Sequence, residues 1–529
     1  MPSKEKQTAL DWIQDNQQNL SDWNQIIWDY AEPAWREYKS ARWYIERLRA
    51  EGFQVEEATG AMPTAFLATF GSGSPVLGAY AEYDAVPGNC QAAVAYEKPR
   101  DGLNRFAAGH TDPHSALGIG SLGGVLAVKT AMEKHGLSGT LKYFGEPAEK
   151  VVASKPIHAA KGYYDDIDAV ISFHPAYMLP YFNTARWDTH CGATYVRIYE
   201  FSCDEPETWL KTEKASPIAA AHGMPRAPGA LDAVCLMYTT TKVTRENIIP
   251  TTIPFWLNEF IMAGGQAVGD NLAPHIGYIQ YCWRTPAPEF SDRILEVLDR
   301  NAQHVAEITH CNLKKHWVSR LRAGLPNHAM AELTYKNLVL AGPPTFGTEA
   351  CKFAREIQTH LNIDPMETPF VPECSTTISP RDAEAQMRQS LPPTVMNFTS
   401  DDYVEYTWHA PTARFYIGRP MLNSPKPGFQ YPAWVMNALG GHRHCIDPMI
   451  LSASRTIAGT LVDLLTKPEE LEKSQAEFKE RTGGGIGGSK WRAPLLPPDI
   501  KPPIDFPWPE YISTARGEEW WIPTGDDDR

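Results

Sequence analysis

The chain has 529 residues, of which 43% are hydrophobic and 21% are charged. This composition is that of an ordinary globular protein and excludes collagen-like, coiled-coil and largely disordered chains, and at roughly 100–200 residues per domain the length predicts several structural units. The 63 acidic and 49 basic residues give a net charge of −14, which repels nucleic acid and anionic lipid surfaces. We therefore expect no nucleic acid and no membrane as a partner.

The amino-terminal residues and the cysteines both indicate a cytoplasmic protein. Residues 1–18 lack the apolar core of a secretion signal, and no run approaches the ~20 apolar residues of a membrane span. The nine cysteines lie between Cys90 and Cys445 without a CxxC pair. This odd and scattered set fits neither a disulfide framework nor a zinc ribbon, so a reducing compartment is expected.

Hydrophobic periodicity predicts alternating helices and strands in the first part of the chain. Apolar residues recur at helical spacing from 7 to 52 and again from 115 to 135. Buried strands are predicted at four β-rich runs, 65–70, 76–81, 140–144 and 169–173. The turn sequence GSGSP between the first two runs predicts a hairpin. Strands alternating with helices at this spacing predict an α/β fold with a mainly parallel sheet.

Polar clusters follow three of these predicted strands. Asp84, Glu149 and His174 stand at or just after the ends of the strands. Sheets of this class place their chemistry in the loops beyond the carboxyl ends of the strands. We therefore expect the three side chains to lie in one site.

The pattern changes near residue 188, where an α+β unit interrupts the first domain. The predicted units are the first part of the α/β domain at 1–188, the inserted α+β domain at 189–318, the second part of the α/β domain at 319–466 and a C-terminal extension at 467–529. The extension begins as a charged helix and then becomes rich in Pro and Trp. This composition predicts an extended segment without regular elements, packed over the body because its aromatic side chains are costly to expose.

A series of short motifs carries a resemblance to a known family. In chain order the motifs are AEYDAVPG (81–88), GHTDPH (109–114), FGEPAEK (144–150), SFHP (172–175), ALDAV (230–234), GLPN (324–327) and SDD (400–402). Over about residues 7–466 the chain resembles the dinuclear-metal aminoacylase and carboxypeptidase superfamily, in its aminobenzoyl-glutamate utilisation branch. The resemblance implies an α/β catalytic domain interrupted by a lid and dimerisation domain. It also implies two metal ions that activate a water against an amide carbonyl.

The resemblance implies roles for five residues of the first domain. Asp112 stands where the family has a bridging cysteine, and a carboxylate with two oxygens can replace that thiolate. His114 and His174 match metal-binding histidines, and Glu149 matches the general base. Asp84 is expected to accept a hydrogen bond from His114 and so to orient its imidazole.

Lys150 is the main departure from the family pattern, because the family has a metal-binding glutamate there. A charged ammonium cannot ligate a metal ion and repels a divalent cation nearby. One metal site is therefore expected to be lost, which leaves at most one divalent ion, zinc or manganese. In the alternative interpretation Lys150 replaces the missing charge and the pocket holds an ion-pair network without metal.

The late metal-binding histidine of the family is matched by Asp447, in the sequence GGHRHCIDP. His442 and His444 are close enough in sequence to be rival ligands. Asp447 also fits an ordinary helix N-cap before Pro448. The sequence leaves these alternatives open.

In the inserted domain the resemblance implies three contacts with the substrate. His222 resembles a histidine that reaches across a dimer to polarise the carbonyl oxygen. Asn271 and Arg284 resemble positions that bind the substrate carboxylate, a task that suits the paired donors of a guanidinium. The resemblance also implies a homodimer formed by edge strands of residues 189–318.

Three functions follow from these residues. The leading prediction is an amidohydrolase-type enzyme that cleaves an amide bond of a small N-acyl amino acid or dipeptide-like substrate, with Glu149 as proton shuttle and a metal ion as electrophile. A second prediction is a metal-poor or metal-free enzyme in which Lys150, Glu149 and the histidines catalyse amide formation, cyclisation or elimination. A third is a non-catalytic binding protein. Ionisable residues replace each lost ligand, which favours a working pocket.

Overall fold

A computed structural model describes residues 2–203, 228–265, 274–515 and 517–520. The helices in these ranges are α1 (Lys4–Asp15), α2 (Gln17–Tyr30), α3 (Tyr38–Ala50), α4 (His114–His135), α5 (Ser154–Ala160), α6 (Ala230–Thr244), α7 (Pro288–Thr309), α8 (His328–Ala341), α9 (Thr348–His360), α10 (Pro380–Ser390), α11 (Ala433–Gly441), α12 (Arg443–Thr466) and α13 (Pro468–Thr482). The strands are β1 (Gln54–Glu57), β2 (Phe66–Ser72), β3 (Val76–Ala81), β4 (Gly139–Gly145), β5 (Ala169–Pro175), β6 (Thr184–Ala185), β7 (Ala193–Ser202), β8 (Trp256–Ala263), β9 (Ile276–Thr285), β10 (Asn312–Arg320), β11 (Thr412–Ile417), β12 (Tyr511–Thr514) and β13 (Gly517–Trp520).

The larger sheet has seven strands in the order β1-β2-β4-β3-β5-β11-β6. Its four central strands β4, β3, β5 and β11 run parallel to one another. The outer strands β1, β2 and β6 are antiparallel to their neighbours. Strands β3 and β5 are buried along almost their whole length, as is usual for parallel strands covered on both faces. This confirms the predicted α/β class with a mainly parallel sheet.

The hairpin predicted from runs 65–70 and 76–81 is wrong. Strands β2 and β3 do not pair, because β4 lies between them, antiparallel to β2 and parallel to β3. The residues of β3 are nearly all apolar and buried. Such a continuous apolar run belongs in the centre of a parallel sheet, whereas a hairpin strand with one face in water alternates apolar and polar residues.

Helices α4 and α12 pack against each other through small residues. A Cβ atom at Gly124 would lie 2.6 Å from Ile457 Cγ2, and one at Gly123 would lie 2.6 Å from Ser454 Oγ. Glycine therefore permits the close approach of the two backbones. Both helices are long and apolar enough to be candidate membrane spans. However, 89% of the most apolar stretch of α4 and 78% of that of α12 are buried inside the protein, as in core helices.

The smaller sheet has four antiparallel strands in the order β10-β7-β9-β8, which span residues 193–320. Helices α6 and α7 cover one face, and Val234, Leu298 and Trp283 belong to the separate core between them. The opposite face carries alternate residues of β7, β9 and β8, such as Val196 and Cys282. We call this second face the cavity face.

The C-terminal segment, residues 467–529, begins with α13. Its described part ends in the β12–β13 hairpin, so the prediction of no regular elements is wrong for residues 511–514 and 517–520. This stretch lies beyond Pro509, and Gly517 (φ +113°) supplies a turn conformation that few other residues adopt. Trp520 packs with Ala107 and Ala108 on the loop before α4. The hairpin therefore supports the loop that leads to Asp112.

Candidate active site

The candidate active site lies where strands β3, β4 and β5 end. Six of its side chains stand near these strand ends or at the start of α4: Glu82, Asp84, His114, Glu149, Lys150 and His174. The carboxylates and histidines among them form two overlapping groups whose ligand atoms lie within 4.8 Å of one another. This is the convergence that the carboxyl ends of parallel strands produce.

Asp84 holds the first histidine of the site. Its Oδ1 lies 2.7 Å from His114 Nδ1, and its Oδ2 accepts the backbone N–H of Lys150 at 2.8 Å. Burial alone would raise the pKa of Asp84, but the hydrogen bond from His114 and the charge of Lys150 lower it. With Nδ1–H donated to the carboxylate, His114 presents the lone pair of Nε2 to the pocket.

The turn that carries Glu149 and Lys150 has a strained backbone. Ala148 and Val152, on either side, have φ angles of +56° and +52°, a region that costs a non-glycine residue about 1 kcal/mol or more. The buried carboxylate of Glu37 accepts the backbone N–H of Ala148 at 2.7 Å. Burial and the charge of a nearby aspartate raise the pKa of Glu37 to about 8. Buried acceptors therefore hold this turn in place.

The ammonium of Lys150 lies at the centre of the site. Its Nζ is 2.8 Å from His114 Nε2, 3.1 Å from Asp112 Oδ2 and 3.3 Å from Glu149 Oε2. Burial lowers the pKa of Lys150, but the charges of Asp112, Glu149 and other carboxylates raise it above its ordinary value. Lys150 is therefore charged, and an ammonium that donates to Nε2 blocks a metal ion from that nitrogen.

Asp112 connects Lys150 with the second histidine. Its Oδ2 lies 3.3 Å from His174 Nε2, and although burial would raise the pKa of Asp112, His174 and Lys150 hold it well below its usual range. Nδ1 of His174 lies 2.7 Å from the carbonyl oxygen of Pro175, which makes Nδ1 the donor. Two lone pairs, on Nε2 and on Oδ2, would then face each other, so a proton or a cation belongs between them.

Glu82 and Asp402 share one buried lysine. Lys155 Nζ lies 2.7 Å from Glu82 Oε1 and 2.5 Å from Asp402 Oδ1, and all three residues are fully buried. Burial raises the pKa of Asp402 well above its ordinary value; Lys155 opposes this effect, while Glu149 and Glu82 add to it. Burial and the neighbouring carboxylates therefore favour the neutral form of Asp402, and Lys155 favours its charged form.

Asp401 pairs with a buried arginine. Arg414 donates to the Asp401 carboxylate and also to the Tyr80 hydroxyl at 2.8 Å and to Ser172 Oγ at 2.9 Å. Asp401 forms a further group of close ligand atoms with Glu82 and Asp402. The ion pair is desolvated, so the loss of either partner leaves a charge that is costly to bury.

Carboxylates outnumber fixed cations in this cluster. The carboxyl groups are those of Glu82, Asp84, Asp112, Glu149, Asp401 and Asp402, and the cations are Lys150, Lys155 and Arg414. If all six carboxyl groups were charged, the three cations would leave three negative charges, which protons or a further cation must balance. Among these six carboxyl groups, three buried oxygens have no hydrogen-bond partner within the described ranges: Glu82 Oε2, Asp112 Oδ1 and Asp402 Oδ2. The ligand atoms of Glu82, His114 and His174 lie within 4.8 Å of one another, so these three residues would fit one divalent ion if Lys150 Nζ moved away from His114 Nε2.

The prediction of Asp447 as a metal ligand is wrong. Helix α12 has His442 as its N-cap, so Asp447 lies in the second turn and is not the cap either. It lines a separate cavity with His444 and Glu349, and His442 stacks on Phe353 with ring centroids 3.9 Å apart. Among the described residues, none of Asp447, His442 and His444 belongs to a group of close ligand atoms.

Of the three predicted residues in the inserted domain, only Arg284 lies within the described residues. His222 and Asn271 fall in 204–227 and 266–273, outside them. Arg284, in β9, lines a cavity that also reaches Lys150. Its Nε is buried, and no hydrogen-bond partner for it lies in the part of the chain that the structure describes. Arg284 is therefore available to a ligand.

Sequence reasoning missed Glu82 and its charged neighbours. A usable signal existed for Glu82, because it stands two residues before Asp84 and an extended chain points both side chains to the same side. The SDD motif belongs to the motif series, but the sequence alone predicts no role for Asp401 or Asp402. Lys155 and Arg414 carried no sequence signal, since only the fold brings them to their carboxylates.

Comparison with known proteins gives relatives over almost the whole chain. No family model matches it. The chain is similar to one of the subunits of p-aminobenzoyl-glutamate hydrolase from Escherichia coli (strain K12), with 25% identity over 487 residues, which cover 89% of this chain and 94% of that protein. It is also similar to Xaa-Arg dipeptidase from Mus musculus, with 24% identity over 311 residues, which cover 56% of this chain and 61% of that protein.

A solved structure also aligns with the chain. The aminobenzoyl-glutamate utilization protein from Klebsiella pneumoniae has a TM-score of 0.49 and 14% identity, over 85% of this chain and 98% of that one. The similarity to the Escherichia coli hydrolase confirms the resemblance to the aminobenzoyl-glutamate branch that the motif series indicated. It also confirms the prediction of a hydrolase-type enzyme.

Proposed function

We propose that the chain is an amidohydrolase that cleaves the amide bond of a small N-acyl amino acid or dipeptide-like substrate. The observation that carries the proposal is the Glu149 carboxylate, which is set beside Lys150 and His114 at 3.3 and 3.5 Å on a turn held by buried acceptors. The similarity over 487 residues to a hydrolase of an acyl-glutamate amide supports the same substrate class.

The proposed chemistry divides the work among three groups. Glu149 takes a proton from the attacking water and passes it to the leaving nitrogen, as a general base and then a general acid. Lys150 stabilises negative charge on the carbonyl oxygen, since preorganised cations act strongly in a site that excludes water. Arg284 pairs with the substrate carboxylate. A divalent ion held by Glu82, His114 and His174, when bound, would supply a Lewis acid for the carbonyl and the water.

An amine-release assay tests this proposal. The purified chain is incubated with N-acetyl and N-benzoyl amino acids and with dipeptides, with and without added zinc or manganese, and free amino groups are measured. Glu149→Gln is the matched control, because it keeps the shape of the side chain and removes the base. If the wild-type chain releases no more amine than Glu149→Gln from any compound, the proposal is refuted.

A second candidate function is favoured by the position of Lys150. Its Nζ donates to the nitrogen of His114 that a metal ion would use, so the site also supports acid–base chemistry without metal, such as amide formation, cyclisation or elimination. Elemental analysis of protein purified without chelators separates the two candidates. One equivalent of metal that is required for turnover supports hydrolysis, and turnover by metal-free protein supports the second candidate.

We propose in addition that the chain is a cytoplasmic homodimer. Strand β8 forms an edge of the smaller sheet, and its Trp256 and Ile261 are each 50% exposed, which suits pairing with a second copy. All nine cysteines are free thiols, which suits a reducing compartment. The proposed partner in catalysis is a small-molecule substrate.

A further inference from the structure

A cavity of about 540 Å³ opens between the candidate active site and the cavity face of the smaller sheet. One side consists of Ala85, Val86, Lys150 and Val152, next to the catalytic turn. Its volume is within the usual range for small-molecule sites, and its lining is mostly apolar, as in such sites. The cavity therefore borders the proposed reaction centre at Lys150.

The opposite wall is one face of a sheet. Alternate residues of β7, β9 and β8 line it, and the strand register brings them side by side: Thr194 pairs with Arg284, Val196 with Cys282, and Phe260 with Gln280. Helices α6 and α7 cover only the other face. This wall therefore combines apolar side chains with the polar groups of Thr194 and Gln280 and has one cation at its end.

The third wall comes from the C-terminal segment, through residues 507–509. Trp508 is only 6% exposed, and its indole N–H donates to the carbonyl oxygen of Pro503 at 2.6 Å. Two residues earlier, Phe506 packs against Tyr278 and His316, with ring centroids 5.4 and 4.9 Å apart. The segment thus covers part of the sheet face, and its residues 507–509 reach the cavity.

Arg36 fixes this part of the segment to the catalytic domain. Its guanidinium donates to the carbonyl oxygens of Ile504 and Phe506, both at 3.2 Å, and pairs with Glu510 at 3.1 Å. The backbone on both sides of Trp508 is therefore anchored. A wall held in this way is preorganised for a ligand and loses little entropy on binding.

We propose that the C-terminal segment is part of the substrate site, and that Trp508 selects substrates with an apolar acyl group of aromatic size. This inference rests on the proposed amidohydrolase function, since it places the acyl group beside the Lys150 turn. The prolines and the fixed indole give flat apolar surfaces that suit a ring. A small acyl group such as acetyl leaves most of the cavity unfilled and gains little from it.

The test compares the binding of N-benzoylglycine and N-acetylglycine, which differ only in the ring. Calorimetry on the full chain carrying Glu149→Gln avoids turnover during the titration. We expect N-benzoylglycine to bind at least about tenfold more tightly. Adding Trp508→Ala should reduce this preference by about five- to tenfold, while Trp508→Phe should retain most of it. Trp491→Phe, in the same segment but outside the cavity wall, should leave it unchanged.

A second variant covers the case in which Trp508→Ala does not fold. Cys282→Phe adds a ring from the sheet wall and fills the cavity, so it should abolish the preference for N-benzoylglycine. The inference is overturned if no preference exists, or if it persists in a folded Trp508→Ala or Cys282→Phe chain. Hydrolysis is measured separately from binding. A binding preference for N-benzoylglycine without hydrolysis refutes only the proposed amidohydrolase function. Hydrolysis without a binding preference that depends on Trp508 refutes only the role proposed for Trp508.

Discussion

Replacing Asp447 by Asn should stabilise the protein near neutral pH and leave turnover unchanged. Burial raises the pKa of this carboxyl from 3.8 to about 6, and the nearby charge of Asp22 adds to the shift, whereas Ser21, Arg443 and His444 oppose it. One of its oxygens is buried with no hydrogen-bond partner among the described residues. Asparagine has nearly the same shape and carries no charge at any pH.

The size of the expected stabilisation follows from the raised pKa of Asp447. A pKa difference of about two units, at about 1.4 kcal/mol per unit, corresponds to about 3 kcal/mol. Since Asp447 is only partly buried, solvent screening reduces this to about 1–2 kcal/mol. The folded state retains the proton between pH 4 and 6 while the unfolded state loses it, so the stability of the wild-type protein falls as the pH rises through this window. The gain from Asn is complete above about pH 7 and absent near pH 4.

Thermal unfolding at pH 4 and at pH 7.5 measures this effect. We expect Asp447→Asn to raise the Tm by about 1–3 °C at pH 7.5 and to leave it unchanged at pH 4. Metal content and turnover should match those of the wild-type protein. A tenfold loss of either one would show that Asp447 does enter the active site, and a Tm shift independent of pH would show that ionisation of Asp447 does not cause the stabilisation.

Four further outcomes are expected. Glu149→Gln should lower kcat by about 10²–10⁴-fold with folding intact, measured by amine release and circular dichroism. Elemental analysis should find at most one divalent ion per chain, and two equivalents of zinc would contradict the role given to Lys150. Lys150→Glu should raise metal content if the enzyme uses one ion, and should abolish the native reaction if it uses none. Sedimentation at micromolar concentration should give a dimer, which a charged residue at Ile261 should dissociate.

The sequence predicted the class of the larger sheet and several residues of the candidate active site because both depend on local signals. Apolar runs and the residues that follow them identified β3, β4 and β5, and with them Asp84, Glu149 and His174. The pairing of β2 was not predictable in this way, since the partner strand β4 comes more than sixty residues later. Local turn chemistry favoured the nearer partner.

The errors in the site have the same origin. Asp447 was placed by its distance from the final helix, but its direction depends on where α12 begins, and each residue of a helix turns the side chain by about 100°. Lys155 reaches Asp402 across 247 positions of sequence, a contact that only the folded sheet creates. Long-range ion pairs are therefore the part of this site that a single sequence conceals.

The contact of the C-terminal hairpin with the loop before α4 has a consequence for biosynthesis. On the ribosome the catalytic turn and both histidines are complete long before Tyr511 is made, yet the Tyr511 hydroxyl accepts a hydrogen bond from Arg100 at 2.8 Å in the finished protein. A nascent chain that lacks the hairpin therefore lacks the contacts of Tyr511 and Trp520 with the loop that leads to Asp112. Activity should therefore appear late in synthesis. A chain truncated before residue 500 should fold but should be inactive.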